Sequence, residues 1–96
     1  MDSDGSTKRM QVLFSGKVQG VGFRSRIYQI ATPICIVGYV RNKQNGDVEL
    51  IAEGTERTLC KFIDKIRESH PDDHIIRERL CWITATGEFD KFRISD

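Results

Sequence analysis

The first repeating pattern of apolar residues in this chain has a period of two. Met10, Val12 and Phe14 occupy alternate positions, which predicts a strand with one strongly apolar face. After a glycine-rich stretch, apolar residues recur at spacings of four and three, as on one side of an amphipathic helix. We expect this helix to end at Pro33, because a proline restricts the backbone of the residue before it. The apolar residues of the helix are Phe23, Ile27, Ile30 and Ala31.

Two extended runs follow the first helix and are joined by a turn. Residues 34–43 and 47–53 are predicted as strands, and the Asn45-Gly46 dipeptide between them is typical of a tight hairpin turn. The apolar run over residues 34–40 is almost continuous, which favours a strand that is buried on both faces. The earlier strand of this hairpin is therefore predicted to be central in the sheet.

A second helical pattern and two final strands complete the expected order of elements. Thr55 is placed to cap this helix, which should end near the His70-Pro71 pair, and residues 75–84 and 89–94 are predicted as strands. The order strand, helix, strand, strand, helix, strand, with an extra terminal strand, is typical of an α+β ferredoxin-like α/β sandwich. In this fold, two helices cover one face of a mainly antiparallel sheet. The apolar residues of the second helix are Leu59, Phe62, Ile63 and Ile66.

Length and composition indicate one small domain. The chain has 96 residues, of which 39% are hydrophobic and 30% charged, and no apolar run approaches the length of a membrane span. The polar residues 1–8 are expected to form a disordered N-terminal tail, and residues 9–96 a single domain. Neither a signal peptide nor a membrane segment is visible, so we expect no membrane partner.

The cysteines bear on the redox environment of the protein. Cys35, Cys60 and Cys81 are odd in number, widely spaced and flanked by apolar residues. This pattern favours free, buried thiols in a reducing compartment, and therefore a cytoplasmic protein. No histidine stands near them in a pattern typical of a cysteine nucleophile, so thiol catalysis is disfavoured.

Residues 16–24, with the sequence GKVQGVGFR, are the strongest candidate for chemistry. Glycines let successive backbone N–H groups approach a ligand closely, and a helix that begins near Gly22 adds its positive end. Arg24 supplies a full positive charge, so the segment is predicted to bind an anion; an ordinary tight turn is the alternative. The charge distribution agrees with anion binding, since residues 1–43 carry seven basic and two acidic side chains while residues 44–96 carry eight and twelve.

A second segment makes the prediction more specific. Residues 38–49 have the sequence GYVRNKQNGDVE, and Gly54 follows. Together with residues 16–24 they resemble the two signature motifs of the acylphosphatase family, and the resemblance extends from about Gln11 to the end of the chain. It implies the ferredoxin-like fold and the hydrolysis of acyl phosphates. Paired carboxylates or a well-placed histidine, which would act as a general base, are missing, and this suits an easily cleaved substrate such as an acyl phosphate.

The resemblance also implies the roles of single residues. Arg24 would clamp the phosphoryl group, and Asn42 would orient the attacking water through its side-chain amide. The phosphate itself would take the proton of the water, so that neither a metal nor an organic cofactor is implied. The residues expected to bind the substrate phosphate are Gln19, Gly20, Val21, Gly22 and Phe23, through the backbone, and Arg24.

The expected partners are small molecules, and two positions depart from the family pattern. A small acyl phosphate is the expected substrate, inorganic phosphate the product and an inhibitor, and the protein is expected to be a monomer. Cys35 follows Pro33 where relatives commonly have glycine, so the exit from the first helix should differ from theirs. Tyr39 replaces a frequent tryptophan, which is a mild aromatic exchange.

Two binding functions compete with hydrolysis. A non-hydrolytic or accessory module of the same fold, as in larger carbamoyl-transferring maturation proteins, would use the glycine segment to bind carbamoyl phosphate or phosphate. RNA-recognition domains share the predicted order of elements and stack bases on sheet aromatics. Residues 47–53 carry three acids and no aromatic residue, so we expect no nucleic-acid partner.

Two further groups of residues have alternative interpretations. His70 and His74 flank two aspartates, as in some metal sites, but Pro71 opposes the helix that such a spacing requires, so a solvated loop is favoured. Trp82 and Phe89 are expected to pack in the core or on the sheet rather than to form a platform for a ligand.

Overall fold

The computed structural model describes residues 7–20, 22–69 and 75–95. Within these residues, strands and helices follow the order predicted from the sequence. The predicted His70–His74 segment lies outside the described residues, as do residues 1–6 of the predicted tail. The elements are β1 (Thr7–Gly16), α1 (Phe23–Ala31), β2 (Val37–Asn42), β3 (Val48–Thr55), α2 (Glu56–Glu68), β4 (Ile75–Thr84) and β5 (Phe92–Ser95).

The strands form one sheet in the order β4-β1-β3-β2-β5. β1 pairs antiparallel with both β3 and β4, and β2 pairs antiparallel with β3, whereas β5 runs parallel to β2. α1 and α2 contact each other and pack on the same face of this sheet. The predicted α+β ferredoxin-like sandwich, with two helices on one face of a mainly antiparallel sheet, is confirmed.

The core lies between the helices and the sheet, where the sequence pattern places it. Met10, Val12 and Phe14 of β1 are completely buried, as the alternation of apolar residues predicts. Phe14 meets Phe23 of α1 edge to face, with ring centroids 4.9 Å apart. Burial of one such side chain contributes about 1.5–3 kcal/mol. The helix residues buried against the sheet are Phe23, Ile27, Ala31, Leu59, Phe62, Ile63 and Ile66.

The central strand of the sheet is β3, and the prediction that the earlier hairpin strand would be central is wrong. Six consecutive residues of β3, 48–53, are buried, whereas Val37 and Tyr39 of β2 remain partly exposed. The first three residues of the apolar run, 34–36, precede the strand, because β2 begins only at Val37. The helices bury one face of β3. The connection from β4 to β5, which crosses the sheet, buries the other face.

Hydrogen bonds at the helix ends explain where α2 begins and where α1 ends. The Thr55 side chain accepts a hydrogen bond from the Thr58 N–H at 3.2 Å, which confirms its prediction as the cap of α2. α1 ends without a left-handed residue, because Thr32 donates from its N–H and its hydroxyl to the Tyr28 carbonyl before Pro33 stops the helix. β1 begins at Thr7, so Thr7 and Lys8, which we predicted to belong to the tail, pair with β3.

The prediction that the cysteines are buried is wrong. Cys35, Cys60 and Cys81 are free thiols as expected, but all of them are exposed. Trp82, predicted to pack in the core or on the sheet, lies on β4 of the sheet and is 42% exposed, so it is not part of the core. Cys81 and Trp82 stand on β4, which lies at an edge of the sheet and has a neighbouring strand on one side only, so apolar flanking residues do not guarantee burial there.

The connection from β4 to β5, residues 85–91, crosses the face of the sheet that the helices leave uncovered; we call it the strap. β4 and β5 are the two edge strands, so this connection has to span the sheet. Phe89 of the strap packs against Tyr39, with ring centroids 5.9 Å apart, and beneath the guanidinium carbon of Arg9 at 5.1 Å. Residues 89–91, predicted as part of the last strand, therefore belong to the strap, and β5 begins at Phe92.

A buried carboxylate holds the strap on the sheet. Glu53 of β3 is 1% exposed and accepts hydrogen bonds from Arg9 Nε at 2.7 Å, the Thr86 N–H at 2.9 Å and the Gly87 N–H at 3.1 Å. Burial alone raises the pKa of this carboxyl, but the two backbone N–H groups and Arg9 outweigh it, so that the pKa lies below its ordinary value. The charged form of Glu53 therefore stabilises the folded state.

Replacing Glu53 by glutamine should lower the free energy of unfolding by about 2–4 kcal/mol at pH 7, because Arg9 and two N–H groups lose their charged acceptor. A lowered folded-state pKa stabilises the protein fully above the ordinary value of about 4.3, and this contribution disappears as the pH falls below that value. Urea unfolding at pH 7 and pH 3 should show the difference between wild type and variant shrinking in acid. Glu88→Gln, at an exposed partner of Arg9, is the control and should change little. Equal unfolding curves for Glu53→Gln and Glu88→Gln would contradict this role.

Candidate functional site

The glycine loop, residues 16–22, leads from β1 into the N-terminus of α1. Gly20 and Gly22 have φ values of 76° and 79°, a conformation that residues with a side chain rarely adopt. A Cβ atom added at either glycine would meet nothing within 4 Å, so space lies open above the loop. Gly22 is the N-cap of α1 and offers no capping side chain, and the first turn of α1 contains no acidic residue. The positive end of the helix therefore faces this space without a negative side chain of its own.

A small hollow lies at this helix N-terminus, in the position predicted for the phosphoryl group. Its volume is about 110 Å³, roughly that of four water molecules in the liquid. Val21 lies outside the described residues, so its predicted contact with phosphate stays a prediction. The lining residues are Val18, Gly20, Gly22, Phe23, Arg24, Ser25 and Ile94.

Arg24 lies in the first turn of α1, where its side chain lines the hollow. Its Nη1 atom donates to the backbone carbonyl of Ser95 at 3.3 Å. Ser95 is paired with Arg41 in the parallel ladder of β5 and β2, so this hydrogen bond places the guanidinium beside the end of β2. Within the described parts of the chain this is the one hydrogen bond that Arg24 makes, which leaves most of its five N–H donors for an anion.

Asn42 is the last residue of β2, directly after Arg41. Its side-chain oxygen, Oδ1, is buried and accepts no hydrogen bond from the described residues. Leaving a buried amide oxygen without a donor costs about 1–3 kcal/mol, so such an atom in a native structure points to a water or ligand that supplies the donor. Asn42 also borders an open depression of about 600 Å³ on the hairpin, which gives a ligand access to this end of the strand.

Gln19 connects the glycine loop to the hairpin that follows Asn42. Its side-chain Nε2 donates to the backbone carbonyls of Lys43 and Asp47, each at 2.8 Å. The sequence indicated only the backbone of Gln19 as part of the site, and this side-chain contact was not predicted. Its partners stand 24 and 28 residues away along the chain, so no local pattern indicates it.

Arg41 is turned away from this site. Successive residues of a strand point to opposite faces, and Arg41 bonds through Nε to Glu49 Oε1 at 2.6 Å on the face crossed by the strap. Burial by itself raises the pKa of Glu49, but hydrogen bonds from Arg41 and Gln11 outweigh it and lower the pKa. Burial raises the pKa of the neighbouring Tyr39, whose hydroxyl lies 3.5 Å from Glu49. Arg41 thus flanks the site as a partner of Glu49.

The fold brings three separated parts of the chain to one end of the sandwich. The N-terminus of α1 carries the glycine loop and Arg24, β2 ends there with Asn42, and β5 ends there with Ser95. Because the hydrogen bonds of Gln19 and Arg24 join these parts, the predicted phosphate-binding loop and Asn42 become neighbours. This combination of N–H donors, one guanidinium and a buried amide oxygen is suited to binding an oxyanion together with a water molecule.

Comparison with known proteins agrees with this geometry. The sequence model of a family described as Acylphosphatase matches residues 10–94. The chain belongs to the acylphosphatase family. It is 44% identical over 89 residues to an acylphosphatase from Syntrophus aciditrophicus, and this alignment covers 91% of both chains. As a member of this family of hydrolases, the chain is an enzyme.

Solved structures give the same result for the fold. The acylphosphatase from Bacillus subtilis superposes with a TM-score of 0.84 at 27% identity, over 93% of this chain and 99% of that one. The larger protein HypF from T. kodakarensis matches with a TM-score of 0.78 at 30% identity, over 93% of this chain but 12% of HypF. The fold therefore occurs both as a chain of this size and as a small part of a longer protein.

Neither a membrane-spanning helix nor a group of metal ligands is found among the described residues. Neither of the two helices formed by residues 7–20, 22–69 and 75–95 is long and apolar enough to cross a membrane. In that same part of the chain, no three side chains of His, Cys, Asp or Glu are grouped so that they would hold a metal ion. The predicted independence from a metal stays a prediction.

Proposed function

We propose that the protein hydrolyses the carboxyl–phosphate bond of small acyl phosphates and releases a carboxylate and inorganic phosphate. The observation that carries this proposal is the buried Asn42 Oδ1 atom at the end of β2, beside the glycine loop, which accepts no hydrogen bond from any described residue. In the proposed mechanism, a water molecule donates a hydrogen bond to this oxygen. Family membership supports the same substrate class, since the relatives are named acylphosphatases.

The glycine loop and Arg24 bind the phosphoryl group in this mechanism. Backbone N–H groups of residues 19–23 donate to its oxygens. Arg24 donates from the guanidinium N–H groups that are not bonded to Ser95. Phosphoryl transfer passes through a loose transition state with charge on the non-bridging oxygens, so positioned donors lower its barrier more than a strong base would. The positive end of α1 acts on the same charge.

Asn42 orients the water for attack. The water donates one hydrogen to Oδ1, and a lone pair of its oxygen then points to phosphorus opposite the acyl oxygen. The new phosphorus–oxygen bond forms as the bond to the acyl oxygen breaks, and the carboxylate departs with the bonding electrons. The proton of the water passes to an oxygen of the phosphate, so no protein base is required.

The proposal also covers cofactors, oligomeric state, location and inhibition. We propose that the enzyme needs neither a metal nor an organic cofactor, acts as a monomer in the cytoplasm, and is inhibited by the phosphate that it releases. The described residues that line the hollow offer backbone N–H groups and one guanidinium, which recognise the phosphoryl end of the substrate.

Hydrolysis of benzoyl phosphate by the purified protein in the presence of EDTA tests the proposal. We expect turnover well above the spontaneous rate, no dependence on the chelator, and competitive inhibition by inorganic phosphate. A protein that binds phosphate without turnover would instead support the second candidate, a non-hydrolytic module that binds carbamoyl phosphate or phosphate. That candidate rests on the match to part of HypF. A protein that neither binds phosphate nor turns over would contradict both.

A further inference from the structure

The carboxamide of Gln19 makes two hydrogen bonds that join the two halves of the site. Nε2 carries two hydrogens, and both are used, one for the Lys43 carbonyl and one for the Asp47 carbonyl at 2.8 Å each. Gln19 immediately precedes Gly20 of the phosphate loop, and Lys43 immediately follows Asn42. One side chain thus ties the loop that binds phosphate to the residue that orients water.

The acceptors of Gln19 are fixed in place by the turn itself. The Lys43 N–H donates to the Asp47 carbonyl at 2.8 Å, and the Gly46 N–H donates to the Lys43 carbonyl at 3.1 Å. Each carbonyl therefore receives one hydrogen bond from the turn and a second from Gln19. A carboxylate or a thioether in place of the Gln19 amide has no hydrogen to donate, so neither carbonyl would receive its second hydrogen bond.

We propose that Gln19 is a positioning residue that sets the distance between the bound phosphoryl group and Asn42. This inference rests on the proposed hydrolysis and adds to it a role for the Gln19 side chain, which touches neither the phosphorus nor the water. Displacement of a catalytic group by about 1 Å lowers rates by about 100-fold. Loss of the Gln19 bridge is therefore expected to slow the attack by water, while the loop still binds phosphate through its backbone and Arg24.

Gln19→Met tests this inference, because methionine has a similar length and no N–H donor. We expect kcat for benzoyl phosphate to fall by about 10- to 100-fold, whereas the inhibition constant of inorganic phosphate changes less than about threefold. Gln29→Met, at an exposed position on α1, is the matched control and should keep the wild-type kcat. Equal loss of kcat and of phosphate affinity, or a kcat equal to that of Gln29→Met, would overturn the inference.

A double-variant cycle separates positioning from a general loss of structure. If Gln19 acts through Asn42, Gln19→Met should lower kcat by less than about threefold when Asn42 is already alanine. Independent, multiplicative losses would show that Gln19 does not act through Asn42. An inactive wild type would contradict the proposed hydrolysis itself, so the two failures are distinguishable.

Gln19→Glu is the second variant, in case the methionine variant does not fold. At neutral pH its carboxylate faces two carbonyl oxygens and has no hydrogen to donate, whereas a protonated carboxyl donates one hydrogen bond. We expect its kcat relative to wild type to rise as the pH is lowered from 7 to 5. A ratio that stays constant over this range would contradict a role for the hydrogen bonds.

Discussion

Replacing Arg24 by alanine should lower kcat/KM for benzoyl phosphate by about 1000-fold or more and abolish inhibition by inorganic phosphate at millimolar concentration. The reason is that Arg24 contributes the one full positive charge among the described residues that line the hollow. Both the ground state and the transition state carry anionic oxygens, so binding and catalysis are affected together. Steady-state kinetics with and without added phosphate measure both effects.

The control for this prediction is Arg26→Ala, two residues further along α1. It removes the same charge from the same helix, but Arg26 does not line the hollow, so we expect activity within about threefold of wild type. If Arg26→Ala were as inactive as Arg24→Ala, the effect would reflect the net positive charge of the region. An Arg24→Ala variant that is still inhibited by phosphate would contradict direct binding. Arg24→Lys should recover only part of the loss, because lysine lacks the planar fork of donors.

Replacing Asn42 by alanine should lower kcat by about 100- to 1000-fold and leave phosphate inhibition almost unchanged. The variant removes the acceptor that holds the water but no donor to the phosphoryl group. Asn42→Ala therefore separates water positioning from phosphate binding, which Arg24→Ala does not. The measurement is kcat together with the inhibition constant of inorganic phosphate.

Asn45→Ala is the matched control for Asn42→Ala. Asn45 is the other asparagine of the hairpin, is exposed, and bonds within the turn through its side-chain oxygen and the Asp47 N–H. We expect wild-type kcat from this variant and at most a small loss of stability. An Asn42→Ala variant with more than about a tenth of wild-type kcat would show that the phosphate-bound water needs no protein acceptor, and the proposed mechanism would be wrong in that step.

The elements of the fold were largely predictable from the sequence because their signals are local. The alternation at Met10, Val12 and Phe14 predicts β1, and helical spacing predicts both helices. Thr55 predicts the start of α2, and the Asn45-Gly46 dipeptide predicts the turn between β2 and β3. The structure confirms each of these. The predictions that were wrong concern element boundaries and neighbouring strands rather than periodicity. Whether Cys81 or Trp82 is buried depends on which strand lies beside β4, and that is decided elsewhere in the chain.

The candidate site was predictable in part. The two motifs pointed to Arg24 and Asn42, and the structure places both at the same end of the sandwich; their roles in catalysis stay predictions. The side chain of Gln19 was not predictable, because its acceptors are backbone carbonyls, which carry no residue-specific signal. The buried state of Glu53 was likewise hidden, since a glutamate at an alternating strand position is normally exposed.

Local patterns in the sequence are enough to predict which segments become helices and strands and where α2 is capped, since each depends on residues within one or two turns of each other. Tertiary contacts place β3 at the centre of the sheet, bring the strap over Glu53 on its second face, and join Gln19 of the glycine loop to the Lys43 carbonyl beside Asn42. The hydrogen bonds of Thr86 and Gln19 link residues more than twenty positions apart, so they form only when the strands take their places in the sheet.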